Sequence, residues 1–539
     1  MSNLTEQKTR SGRREWIVAL VTMILVAGIA AYPSLLIAPN HWDSCLFVWQ
    51  GKRMLAGDLP YRAVWDQKFP VILWVNALAA ASGHVYVALY AFQTVAIGVG
   101  GWLISLMAKR PLGRAASLAA GLAYVTMASA LSMLDTGNMT ETYAAPAAVL
   151  CLYAMVRHID EDSKIWPWPL VSGLGLGLAV MLRPPTVLIV AALLPLVIVA
   201  RRSGRVRRTT GLAWIGGFLL VPLATVTWAT SKGILGLMIR DCILDNIAYA
   251  AGTEATSRWT WSHVYRSLET IVSDAWAWHL AALFGLFIVL LGDSPLKAES
   301  ESRPPVDLRG MALVWLAAAF ASALPSLRFY GHYYYLTLAP LALLSGWAWR
   351  ELAIRFSAKS WRKAIGAWAT ATTAAAVVTM GIQSDYAKAS DRSRDAHPVL
   401  EMERFLSSHS RKGDTLAVFG WGIETDLLAR LGWPSPTKHP HAIIYPELPG
   451  GPQRLREWTE EMLQKPPVWL VCNEREDLVQ GKMIPVYGWD ARAGDISRPV
   501  VEEFKNRYVE AARFPVRSIH SRTEPTYYVI YRDRSADPR

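Results

Sequence analysis

Apolar blocks long enough to cross a bilayer recur along most of this chain, and they limit its fold more than any other feature. A helix needs about 20 largely apolar residues to span the hydrocarbon core. Blocks of that kind, some of them short, lie at 16–38, 85–108, 115–134, 142–156, 169–182, 184–200, 211–230, 276–292, 310–326, 334–349 and 364–382. They predict about 11 spans and a polytopic α-helical membrane protein. The run at 71–82 is too short to span and is expected to lie at the interface. The first block follows Arg10, Arg13 and Arg14 but is too long for a cleaved signal and meets no small-residue cleavage site. It reads as a retained signal anchor.

The basic residues fix the orientation. The formal charge of +12 would suit a nucleic-acid binder, but its Lys and Arg sit at the ends of apolar blocks, which is the membrane pattern. Arg13–Arg14, Lys109–Arg110–Arg114, the run 201–208 and Arg355–Lys359–Arg362–Lys363 fall on one side if the spans alternate. The loops 135–141 and 327–333 hold almost no Lys or Arg. The N-terminus is therefore expected in the cytoplasm, and an odd number of spans puts the C-terminal region outside. Cys45, Cys151, Cys242 and Cys472 form no CxxC or Cys/His metal spacing and read as isolated thiols.

Two regions follow from composition: a membrane domain over 1–384, with a first outer loop at 39–84, and a charged region over 385–539 without a spanning run. The second contains strand-like stretches at 415–419, 468–472 and 527–531, with amphipathic helical stretches at 399–407 and 454–464 between them. A small extracytoplasmic α/β domain fits this pattern.

The chemistry-bearing residues lie in the outer loops. Asp43 stands where the chain leaves the first span, within His41-Trp42-Asp43-Ser44. An aromatic-rich amphipathic helix should follow and stop at Gly57, with Pro60 beyond it. Next come Gly57-Asp58-Leu59-Pro60-Tyr61 and Asp66-Gln67-Lys68-Phe69-Pro70. The second outer loop brings Asp135 and Glu141 around a polar turn. Arg183 separates two close apolar blocks. Arg328-Phe329-Tyr330-Gly331-His332-Tyr333-Tyr334-Tyr335 enters a late span. Each has a structural reading beside the functional one. Asp43 suits a helix N-cap or a general base, and Asp135 and Glu141 suit a turn with a cap or a second acidic group. Arg183 suits snorkelling to headgroups or an anion site. The 328–335 segment suits an aromatic belt or a phosphate site.

The acid after the first span, the aromatic helix, the G-x-x-P-Y tract and the D-x-K-x-P tract together resemble the first periplasmic loop of bacterial GT-C glycosyltransferases. That group has protein O-mannosyltransferase-like and aminoarabinose transferase-like members and is of glycosyltransferase family 39 type. One departure is that Ser44 follows Asp43 where many relatives carry a second acid. The resemblance implies a polyprenyl-phosphate-linked sugar donor, a glycan, lipid or protein acceptor, and inversion at the outer face of a bacterial inner membrane. It points to Asp43, Glu141 and Asp135 as catalytic acids, and to Lys68, Arg183, Arg328, His332 and Tyr333 for the donor phosphate. Two carboxylates of this kind also leave room for a divalent metal ion. No Walker A motif and no G-x-G-x-x-G opening a helix is present, so nucleotide chemistry has no motif here. The competing classes are a lipid-linked-sugar flippase, which would show intramembrane charges and related halves, and a non-catalytic polysaccharide-binding membrane protein.

Overall fold

In the computed structural model, the described residues are 2–37, 42–134, 137–160, 167–202, 207–251, 275–291, 307–324, 330–355, 398–419, 423–439, 451–477, 482–485, 503–504, 506–516 and 526–536, with the isolated positions 265, 269 and 272. The helices run in order α1 (Ser2–Ile37), α2 (Trp42–Leu55), α3 (Pro70–Ala81), α4 (Val85–Leu112), α5 (Arg114–Ala128), α6 (Thr140–Asp160), α7 (Pro167–Leu182), α8 (Val190–Arg202) and α9 (Arg208–Ser231). Next are α10 (Leu235–Ile239), a π-helical turn (Arg240–Leu244), α11 (Asp245–Ala251), α12 (Trp276–Leu291), α13 (Leu308–Ala323) and α14 (Leu338–Arg355). The C-terminal region adds α15 (Pro398–His409), β1 (Leu416–Phe419), α16 (Ile423–Leu431), α17 (Gly451–Gln464), β2 (Trp469–Asp477), β3 (Lys482–Pro485), β4 (Tyr508–Val516) and β5 (Thr526–Asp533).

Every apolar block that falls on described residues is helical, as a segment that must satisfy its own backbone in hydrocarbon has to be. Among the described residues, three helices are long and apolar enough to cross a membrane by length and composition: Arg14–Leu36, Val85–Leu112 and Arg208–Ser231. The block at 364–382 lies outside the described residues. Helix α3 spans 12 residues, too few to cross, as its sequence predicts. Pro70 opens it at a position where a missing N–H costs nothing.

The chain divides into two compact units. One comprises Met1–Leu35, Leu89–Val226 and Arg258–Asp385; the other comprises Leu36–Ala88, Thr227–Ser257 and Tyr386–Arg539. The composition gave no sign that 36–88 and 227–257 belong with the C-terminal residues.

In the first unit the core is built from Met23, Tyr124, Leu152, Trp315, Tyr335 and Trp347 with many alanines between them. Small residues let its helices approach: a Cβ on Gly173 of α7 would collide with the Trp214 carbonyl of α9. Leu25, Leu212 and Phe287 leave large apolar side chains exposed on α1, α9 and α12, which a lipid surrounding accepts and water does not.

In the second unit the sheet has the order β1-β2-β5-β4, with β3 added to β2. Strands β1 and β2 are parallel, and β2, β5 and β4 run antiparallel. The 415–419, 468–472 and 527–531 stretches are thus all strands, and 399–407 and 454–464 fall within α15 and α17. The core beside the sheet joins Ala417, Leu455, Trp458, Met462, Leu470, Phe504 and Tyr508 to Trp65 of the segment between α2 and α3.

Near that core, His439 donates its Nε2–H to Glu457 at 3.2 Å, while the Lys438 ammonium sits 2.7 Å from the same carboxylate. Burial, with the positive charge of Lys438 added, lowers the His439 pKa from 6.5 to about 3, so the ring is neutral and donates its N–H. The folded state therefore resists a proton that the unfolded chain takes up below about 6.5. Stability contributed by a neutral His439 is present above that pH and is lost as pH falls toward 3, at about 1.4 kcal/mol per pH unit. Denaturant unfolding of the purified protein between pH 7 and 4 should show this slope, and His439→Gln should remove that part of it.

Candidate active site

The residues from Asp66 to Pro70 form an irregular strap between the G-x-x-P-Y turn and α3, so side chains must replace the hydrogen bonds a helix would supply. The Asp66 carboxylate is buried; its Oδ1 accepts the Lys68 backbone N–H at 3.0 Å and its Oδ2 accepts from Gln50 Nε2 of α2 at 2.6 Å. Burial raises the Asp66 pKa, opposed by Lys68 and the Gln50 hydrogen bond. The Lys68 carbonyl accepts from the Tyr61 hydroxyl at 2.7 Å and from Cys242 Sγ at 3.3 Å. Tyr61 is itself held at φ 63°, an uncommon angle for a residue with a Cβ.

This strap aims Lys68 at Asp43. The Lys68 ammonium lies 3.8 Å from Asp43 Oδ2 and 5.8 Å from the centre of the Phe47 ring. Asp43 stands in the first turn of α2, where the helix dipole favours a carboxylate. The two side chains are 33% and 43% exposed, so the pair is a weak one, worth about 0–1 kcal/mol. Helix α2 ends at Leu55, just short of Gly57, as its sequence predicts. It packs closely on α3: a Cβ on Gly51 would come within 2.6 Å of the Asn76 backbone. Its far side hydrogen-bonds to the C-terminal residues, through Trp49 Nε1 to the Trp433 carbonyl at 2.8 Å and Lys52 Nζ to the Arg430 carbonyl at 2.9 Å.

The first unit carries a second polar cluster. Glu141, in the first turn of α6, forms a buried ion pair with Arg183, whose side chain is 9% exposed. The Arg183 guanidinium lies over the Tyr333 ring at 4.6 Å and reaches the Ser322 carbonyl at 3.5 Å, while its Nε–H is buried without an acceptor. Tyr333 meets the buried His332 ring edge-on at 4.8 Å, and Tyr330 stacks on His332 at 5.7 Å. The polar turn before α6 holds Asn138 at φ 61°, its N–H given to Gln93 Oε1 at 3.2 Å.

Sequence reading singled out Asp43, Lys68, Glu141, Arg183, His332 and Tyr333, and the structure groups them as Asp43 with Lys68 and as Glu141 with Arg183, Tyr333 and His332. Asp135 and Arg328 lie outside the described residues. The buried role of Asp66 was missed, although its place two residues before Lys68 in the D-x-K-x-P tract could have suggested it. Among the described residues no group of three or more His, Cys, Asp or Glu side chains could hold a metal ion. Asp43 pairs with Lys68, and Glu141 pairs with Arg183 and accepts from the Thr140 hydroxyl at 2.8 Å.

The Glu141–Arg183 pair allows a direct test. Removing one partner of a buried pair leaves an uncompensated charge and typically costs about 3–5 kcal/mol. Glu141→Gln and Arg183→Met should each lower the unfolding temperature of the purified protein. The double variant should recover part of the loss, because no lone charge remains buried.

Residues 67–229 match the family described as dolichyl-phosphate-mannose-protein mannosyltransferase. No curated protein matches the sequence. Among solved structures, the chain is similar to ArnT from Cupriavidus metallidurans bound to undecaprenyl phosphate, with 13% identity, a TM-score of 0.60, and coverage of 96% of this chain and 98% of that one. The apo state of the same protein gives 14% identity, with the same TM-score of 0.60 and the same coverage, 96% and 98%. The Archaeoglobus fulgidus oligosaccharyltransferase in its apo form gives 12% identity and a TM-score of 0.47, over 91% of this chain and 80% of that one.

Proposed function

We propose that this chain, whose fold is that of the GT-C glycosyltransferases, moves a sugar from a polyprenyl-phosphate-linked donor to an acceptor hydroxyl on a glycan, lipid or protein. The observation that carries this reading is the exposed Asp43–Lys68 pair on the D-x-K-x-P strap. It is supported by the fold shared with a protein that binds undecaprenyl phosphate.

The chemistry is a single displacement. Asp43 takes the proton of the acceptor hydroxyl as its oxygen attacks the anomeric carbon. The bond from that carbon to the phosphate oxygen breaks, and the lipid phosphate leaves with the electron pair, its charge met by the Lys68 ammonium. One displacement inverts the anomeric centre. The weakness of the pair has a use here. The donor's phosphodiester monoanion, which gains a second negative charge as it leaves, draws Lys68 at little cost, and a carboxylate relieved of its cation accepts a proton more readily. The resemblance also implies phosphate-binding roles for Arg183, Arg328, His332 and Tyr333, whose guanidinium, imidazole and phenol groups all donate to phosphate oxygens. Glu141 holds Arg183 in place, and Asp135 is the remaining acid for the acceptor.

Asp43→Asn tests the reading. Asn keeps the shape and the capping ability of Asp but cannot take a proton. Transfer should fall by about 10²–10⁴-fold, with protein levels in the membrane unchanged. Full complementation of a deletion strain by this variant would take Asp43 out of the chemistry. Surface glycans, lipopolysaccharide included, from the deletion strain itself would identify the transferred sugar.

The reaction belongs at the outer face of a bacterial inner membrane, with about 11 spans, a cytoplasmic N-terminus and the 385–539 region outside. The asymmetry of the basic loops supports that orientation. Cysteine labelling from either side should find 201–208 inside and 398–439 outside. A cytoplasmic C-terminal region would overturn both the topology and the outward-facing chemistry.

A further inference from the structure

The strap that carries Lys68 is fastened by a segment of the chain far from any motif. Helices α10 and α11 are joined by the π-helical turn Arg240–Leu244. Such turns insert one residue into a helix and shift which side chains share a face, and they recur at functional positions. Here the helix beyond the turn begins with Asp245 and Asn246. Asp245 Oδ2 accepts from Trp65 Nε1 at 3.1 Å and pairs with Arg454 at 2.5 Å, and the Arg454 guanidinium lies 4.4 Å over the Trp65 ring. Asn246 Nδ2 donates to the Gln67 carbonyl at 2.8 Å and, one turn back, to the Cys242 carbonyl at 2.8 Å. Cys242 in turn donates its thiol to the Lys68 carbonyl.

Residues 65, 67 and 68 are therefore each tied to residues 242–246, and the two N–H bonds of one amide bridge the strap to its support. We infer that Asn246 is a positioning residue for Lys68: its amide fixes the peptide before Lys68, and thereby the place of the ammonium that meets the donor phosphate. The inference rests on the proposed role of Lys68. No hydroxyl or carboxylate can do the same, because a hydroxyl has a single O–H and a carboxylate has none, whereas the amide nitrogen carries two N–H groups for the two carbonyls. An Asp at this position would set a carboxylate against two carbonyl oxygens.

The experiment measures binding of undecaprenyl phosphate to the full-length purified protein in nanodiscs, for wild type, Lys68→Met, Asn246→Asp, Asn246→Leu and the Lys68→Met/Asn246→Leu double variant, with unfolding temperatures in parallel. Losing a charge-assisted contact weakens binding by about tenfold or more, so Lys68→Met should show at least that. Asn246→Asp and Asn246→Leu should each weaken binding several-fold. If Asn246 acts through Lys68, Asn246→Leu should add less than about twofold in the Lys68→Met background, because residues acting through one contact are not additive. Wild-type affinity in Asn246→Leu beside a weakened Lys68→Met would overturn the positioning role alone. Full additivity in the double variant would do the same and assign the loss to general structure. Unchanged affinity in Lys68→Met would instead remove Lys68 from the phosphate site, and the inference with it. Should Asn246→Asp fail to fold, the uncharged Asn246→Leu carries the test.

Discussion

The arrangement of the segment from α2 to α3 depends on one buried carboxylate. Taking Asp66 out of water is unfavourable unless its oxygens are satisfied, and burial does push its pKa upward. Its oxygens are satisfied by Gln50 from α2 and by the backbone N–H of Lys68. The same carboxylate thus ties the helix that begins beside Asp43 to the peptide that carries Lys68. An acid at Asp66 and not an apolar residue gives the strap a single geometry, since any shift would strip a buried charge of its donors. The pair at 3.8 Å between Asp43 and Lys68 is too weak to hold the loop by itself, so it is placed by Asp66 and the contacts around it.

Those contacts run into the C-terminal residues. Trp65 is 6% exposed and lies in the core beside the sheet, with Leu455, Trp458 and Leu470. Burying a side chain of that size is worth several kcal/mol at about 25 cal/mol per Å². The Trp65 backbone N–H also goes to the Lys438 carbonyl at 2.6 Å. The sheet and its helices therefore anchor the strap from one side while α10 and α11 hold it from the other. A C-terminal region read from sequence as a separate domain shares its core with a loop that lies more than three hundred residues upstream.

Much of this was legible in the sequence, for identifiable reasons. The helices of the first unit follow from uninterrupted apolar blocks, and the end of α2 follows from Gly57. The strands over 416–419 and 469–472 follow from Val-rich and Leu-rich stretches between turns. Asp43 and Lys68 were readable because they sit in a motif that resembles a known loop. The Glu141–Arg183 pair was not readable: its members lie 42 positions apart on different helices, and nothing local marks two charges as partners. Asn246 and Asp245 were invisible for the same reason. They face residues 180 positions or nearly so away, and an Asp-Asn dipeptide has no periodicity of its own.

The two charged pairs differ in what they can do. Glu141 and Arg183 are both nearly inaccessible, and separating them would leave each charge in a poor dielectric. A pair under that constraint is held together and serves to fix Arg183 against Tyr333. Asp43 and Lys68 keep a third or more of their surface exposed, so water or a ligand can replace either partner at little cost. A general base has to lose one partner and gain a proton within each turnover, and a phosphate ligand has to exchange its anion. Of the described acids singled out by sequence, Asp43 meets that requirement and Glu141 does not. On exposure, Asp43 and not Glu141 is the acid suited to the proposed proton transfer.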